Sequence, residues 1–193
     1  MKTQRSAWRR PVRVTAAVFG AGLLSLTLSG AAGAQSKALP PPPQVKGLDF
    51  LLGSFECAYT PPPGGSPSVT YTKTRRALGG HYYDTEVRIE PGSLRGFASY
   101  GWNPVEGTFI SQYHDDWGSS ANYVSPGWKD GHLVFTGRLL QVITPSATGK
   151  APGVWMDIQE DYHLLGRGHF TSVQTFTLPS GVTLQGTSDC RRA

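Results

Sequence analysis

Alternation with a period of two, repeated along most of the chain, limits what this sequence can become more than any other feature. In HYYDTEVRIE (81–90), His81, Tyr83, Thr85, Val87 and Ile89 make one row, and Tyr82, Asp84, Glu86, Arg88 and Glu90 make the other. That is the pattern of a strand with one face in a core and one in water. Similar segments, rich in Tyr, Val, Thr, Phe and Trp, lie near 54–60, 68–77, 81–90, 94–102, 107–113, 119–125, 132–142, 153–163, 169–178 and 182–191. Gly, Pro, Asn and Asp punctuate them, so the expectation is an all-β chain of about ten strands. The same parity turns Leu133, Phe135, Gly137 and Leu139 inward in one strand, Val154, Met156 and Ile158 in the next, and Phe170, Phe176 and Leu178 in the one after. Only VKGLDFLLG (45–53) has helical spacing, with Leu48, Leu51 and Leu52 on one side of a short turn.

The connections NPVEG (103–107), KDG (129–131) and PSG (179–181) are of hairpin length, which makes neighbours in sequence antiparallel neighbours in space. With no helices to cover a sheet, a sandwich and an up-and-down barrel both remain. The two cysteines discriminate between them. Cys57 falls in the first strand and Cys190 in the last, and a bridge needs their Cα atoms within about 7 Å. In a meander barrel those two strands close the ring, so the pair favours an antiparallel up-and-down barrel pinned at its seam.

The first 34 residues have a basic start, an apolar stretch from Val14 to Leu28, and small residues at Ala32 and Ala34. This is the pattern of a cleaved secretory signal, which implies a periplasmic or secreted protein with no integral membrane segment after cleavage. A transmembrane anchor is the alternative, but the apolar run is short and broken by Gly and Ser. The segment carries Lys2, Arg5, Arg9, Arg10 and Arg13 and no acid, so cleavage leaves 13 of the 18 basic residues against 13 acidic ones. A neutral mature chain lacks the basic footprint of a nucleic-acid binder. Residues 35–45 include SKALPPPPQ and read as an extended, disordered Pro-rich leader, leaving 46–193 as one domain.

LDFLLGSF, RRALGGHYYDTEV and GFASYGWNPVEGTFISQYHDDWG, in that order and spacing, resemble the pattern of an uncharacterised bacterial family of secreted lipocalin-like proteins. The likeness spans roughly residues 48 to 140. Phe55 stands where that family often has Trp, and Trp102-Asn103 replaces its usual Tyr-Asp. The resemblance implies a calycin-type β-barrel and implies no activity, because the family has no established one.

A barrel of about ten strands is wider than its own side chains readily fill, so a cavity for a small hydrophobic molecule is expected. The candidate lining residues are His81, Tyr83, Tyr100, Trp102, Ile110, Tyr123, Phe135 and Met156, with Tyr71 beside them. Core packing accounts for the same aromatics without any ligand. In QYHDDWG (112–118), His114 and Asp116 are two apart and are the candidate polar site, a base with its orienting carboxylate. The same residues also suit an ordinary strand-to-turn ending. His81, after LGG, is a second candidate acid or base. An isomerase or hydratase using these groups, and a filled barrel serving as an interaction surface of the cell envelope, are the competing functions. The sequence holds no nucleophile elbow, zinc helix or phosphate loop, and neither a metal nor a cofactor is expected.

Overall fold

The computed structural model describes residues 38–193; the expected signal segment and residues 35–37 lie outside the described residues. The described chain is all-β. Ten strands form a closed antiparallel barrel: β1 (Gly53–Thr60), β2 (Ser68–Ala77), β3 (Tyr82–Glu90), β4 (Leu94–Asn103), β5 (Thr108–Asp115), β6 (Ser120–Ser125), β8 (His132–Val142), β9 (Gly153–Gly166), β10 (His169–Thr177) and β11 (Thr183–Arg192). A two-residue strand, β7 (Trp128–Lys129), pairs with the start of β8 on the edge that β6 uses further along.

Strands pair with their sequence neighbours, and most of the turns between them are short and carry the residues that tight turns need. At the β4–β5 turn, Asn103 Oδ1 accepts the backbone N–H of Val105 at 3.0 Å and of Glu106 at 3.3 Å, and Gly107 supplies the left-handed φ of 66° that ends the turn. The ring closes where β1 meets β11. Cys57 and Cys190 are directly opposite in that register. Their Cα atoms are 3.9 Å apart and their sulfurs are at bonding distance, 2.08 Å. The expected seam is therefore present.

One strand pair depends on the absence of a side chain. Gly137 in β8 lies opposite Tyr123 in β6, and a Cβ there would overlap the Asn122 carbonyl oxygen. Glycine is what lets these two strands approach so closely.

The helical turn is a 3-10 segment, Pro43–Leu51, which begins earlier than expected. Pro43 and Gln44, expected in the extended leader, belong to it, and Val45, where the leader and the helical turn were both expected to reach, is buried in it. The reason is packing: Val45, Leu48 and Leu51 enter the barrel end formed by Phe55, Tyr83, Phe109, Leu133, Tyr162 and Phe170. Phe50 adds edge-to-face contacts with Trp128, Tyr162 and Phe170, at centroid distances of 5.5, 5.6 and 5.3 Å. Polar contacts fix the segment in place. Trp128 Nε1 donates to the Gly47 carbonyl at 2.9 Å, Arg76 donates to Asp49 Oδ1 at 3.1 Å, and the Tyr83 hydroxyl donates to the same Asp49 carboxylate. This segment plugs one end of the barrel.

Candidate functional site

Beyond the plug the inward rows change character. Where the plugged end presents Phe55, Phe109, Leu133 and Phe135, the rest of the bore presents Thr70, Thr72 and Thr74 on β2, Ala98 on β4, Ser111 on β5, Ser172 on β10 and Ser188 on β11. Small side chains at inward positions leave space, and a cavity of about 350 Å³ remains. Its apolar walls are Val87, Ile89, Leu139, Ile158 and Phe176. Tyr59, Ser68 and Gln141 line it at the strand ends opposite the plug.

Glu160 on β9 faces this cavity with Tyr100, Tyr113, Tyr123, Tyr162, Ser172 and Gln174. Gln174 Nε2 donates to Glu160 Oε1 at 3.1 Å. The carboxyl is enclosed by the barrel wall, and what remains accessible of it faces the cavity rather than bulk water. Removal from water raises its pKa above the usual glutamate value, against the opposing influence of the donors Gln174, Tyr162 and Ser172, which favour the charged form. The tyrosines respond in kind. Burial first, and the nearby Glu160 charge second, push the Tyr100, Tyr123 and Tyr162 hydroxyls upward, so all three stay protonated near neutral pH. Tyr100 and Tyr162 face each other with their hydroxyl oxygens 3.5 Å apart. Tyr113 is raised by burial and by Asp115, to which its hydroxyl donates at 3.1 Å.

The residues expected to line a cavity separate into four groups. Tyr100 and Tyr123 line it. Tyr83, Trp102 and Phe135 point inward but pack around the plug, and Met156 packs with Ala121, Leu139 and Ile158. Ile110 is a correction: Phe109 and Ser111 on either side of it are the buried ones, so Ile110 takes the outer row. His81 is the second correction. Leu78–Gly80 forms a 3-10 turn with Gly79 at φ 68°, β3 starts only at Tyr82, and the His81 ring reaches out to the Leu39 carbonyl at 3.0 Å. Tyr71 is also external, with the Arg88 guanidinium 4.7 Å above its ring.

His114 and Asp116 are brought together in no site. Both are exposed; His114 packs on Phe97 outside the wall at 5.4 Å, while Asp116 Oδ1 accepts the Arg95 backbone N–H at 3.1 Å. The neighbouring Asp115 accepts the N–H of Trp117 and Ser119 at 3.0 and 2.9 Å. The aspartates of QYHDDWG thus hold a turn. None of His81, His114 and Asp116, the acid–base groups expected for an isomerase or hydratase, reaches the cavity.

Sequence reading missed Glu160. Its signal was the parity of β9 itself, in which Met156, Ile158, Glu160 and Tyr162 share one row. The inward row expected from the sequence, Val154, Met156 and Ile158, stops one position short of it.

No protein-family model matches the chain, and no curated protein matches it. Among the described residues, no helix is long and apolar enough to cross a membrane, and no group of three or more His, Cys, Asp or Glu residues is placed to hold a metal ion.

Proposed function

We propose that this is an exported, calycin-like binding protein that holds a small, largely apolar molecule in its barrel. One observation carries the reading: the bore is stoppered at one end and left with about 350 Å³ of space in the remainder. A barrel serving only as a scaffold gains stability by filling such space, because an empty cavity costs the dispersion contacts its lining would make. Here Ser111 on β5 and Ser172 on β10 stand at inward positions two residues along from Phe109 and Phe170, and β2 lines the bore with Thr70, Thr72 and Thr74. The cysteine pair at the seam is compatible with an oxidising compartment, which fits the secretory pattern of residues 1–34.

The test is native mass spectrometry of the mature protein after incubation with a mixed lipid and metabolite extract. A retained species of a few hundred daltons, lost when Ala98→Phe fills the bore, is the expected result. A protein that keeps nothing from extracts of several sources would count decisively against a binding role.

A further inference from the structure

The cavity holds one ionisable group of low intrinsic pKa and no counter-charge. Glu160 lies part-way along β9 with Gln174 donating to it, and no Lys, Arg or His is among the residues lining the cavity. An isolated carboxylate in such a setting is costly unless it is paired. Yet the surroundings suit an anion: the Gln174 amide donates to the carboxyl at 3.1 Å, and the Tyr162 and Ser172 hydroxyls line the same space. What the site lacks is a cation. Tyr100, Tyr113, Tyr123 and Tyr162 line the same space, and tyrosine faces attract an ammonium group placed within about 6 Å. The apolar residues Val87, Ile89 and Phe176 lie on the same bore. Ile89 and Phe176 stand toward the ends of their strands away from the plug.

We infer that the ligand is a small amphipathic amine, its ammonium group set against Glu160 among the tyrosines and its apolar body directed toward the mouth. This rests on the binding role proposed above and specifies its chemistry. A carboxylate ligand, such as a fatty acid, would place a second anion beside Glu160 with nothing to neutralise either charge. A neutral ligand would leave the enclosed Glu160 carboxyl without a group of opposite charge.

The pairing has a thermodynamic signature. In the free protein, burial holds the proton on Glu160 to higher pH than usual. The groups facing it, Tyr100, Tyr123 and Tyr162, stay neutral and supply no cation. An ammonium ion requires the ionised carboxylate, so its binding releases a proton. Affinity therefore rises with pH from the ordinary glutamate range, about 4.3, until Glu160 is already ionised in the free protein.

The experiment uses three probes of matched shape: 2-phenylethylamine, 2-phenylethanol and phenylacetate. Titration calorimetry on the disulfide-bonded mature protein, in buffers of differing ionisation enthalpy, gives affinity and proton release together. The amine is expected to bind about tenfold or more tightly than the alcohol, with proton release that fades as pH rises, and phenylacetate is expected to bind weakest. Glu160→Gln should weaken the amine by about tenfold and leave the alcohol within about twofold. An alcohol that equals the amine, or an amine that binds without proton release even in the ordinary glutamate range, about pH 4.3, overturns the ammonium assignment while leaving the cavity's binding role standing. Tightest binding by phenylacetate overturns it too. If no probe binds and the extract also leaves nothing, both readings fall. The proton-release arm uses only the wild-type chain and is decisive even if Glu160→Gln does not fold.

Discussion

The two ends of the bore are built by one rule and reach opposite results. At the plugged end, inward positions are aromatic or branched and an extra segment, Pro43–Leu51, is drawn in to complete them; Leu48 and Leu133 are 0 % exposed. A few residues further along the same strands, Phe55 gives way to Cys57 and Tyr59, and Phe170 to Ser172 and Gln174. Alternation decides which residues face inward, and side-chain volume at those positions decides whether the interior is core or cavity. Stability is thus concentrated at one end, and the other is free to be shaped by a ligand.

The largest expected effect follows from that division. Phe55 is 1 % exposed and meets Phe170 edge-to-face at 5.2 Å, so Phe55→Ala should cost about 3–5 kcal/mol in denaturant-induced unfolding. Val87 borders existing space, and Val87→Ala should cost about 1 kcal/mol, because little new void is created. Comparable losses at both sites would mean that the cavity half is packed as tightly as the plug.

The seam comes next in size. The Cys57–Cys190 link closes a loop with a sequence separation of 133 residues. Replacing both residues with alanine should cost about 2–4 kcal/mol, chiefly by freeing the unfolded chain. The midpoint of unfolding in urea is the measurement. A double variant as stable as the parent would show that β1–β11 pairing alone holds the barrel closed.

These outcomes bear on how much of the molecule could be read from its residues. Ten strands and the closing cysteines were legible because a period of two and short turns are local signals, and the structure reproduces β2 and β8 at the expected bounds. Tyr100 and Tyr123 line the cavity as expected. Ile110 does not, and the parity of its own strand shows why: Phe109 and Ser111 set the inward phase and Ile110 falls between them. Parity failed at His81 because the left-handed Gly79 ends one strand and delays the next, a backbone event that a row of letters does not reveal. Phe135 and Trp102 were right in direction but wrong in depth, since nothing local indicates how far the 3-10 plug penetrates. The polar centre was hidden by the rule that charges face water, which Glu160 breaks where a cavity and its donors compensate.

Glu160 gives a further expected outcome, of definite sign. Its folded-state pKa is raised above the unfolded one, so the folded protein binds the proton more tightly. The unliganded protein therefore loses stability as pH rises from the ordinary glutamate range through the raised folded value. Glu160→Gln should remove that slope and leave the acid side of the profile nearly unchanged. Thermal unfolding across this pH range, with and without the substitution, reads it directly. A slope that survives in the variant would assign the pH dependence to other groups.

The smallest effect provides the sharpest test of core against cavity, because it compares one substitution at two buried alanines. Ala98 and Ala121 are 4 % and 2 % exposed, and both lie on inward rows opposite Tyr113, from β4 and β6 respectively. Ala98 borders the cavity, whereas Ala121 packs among Leu139, Met156 and Ile158. Ala121→Leu should overpack that cluster and cost about 1–3 kcal/mol. Ala98→Leu places its added methyl groups in open space, and its stability should stay within about 1 kcal/mol of the parent while binding capacity falls. Differential scanning calorimetry of the two variants decides the matter. Equal destabilisation would mean that the space beside Ala98 is not free to accept a side chain, and by the same token not free to accept a ligand.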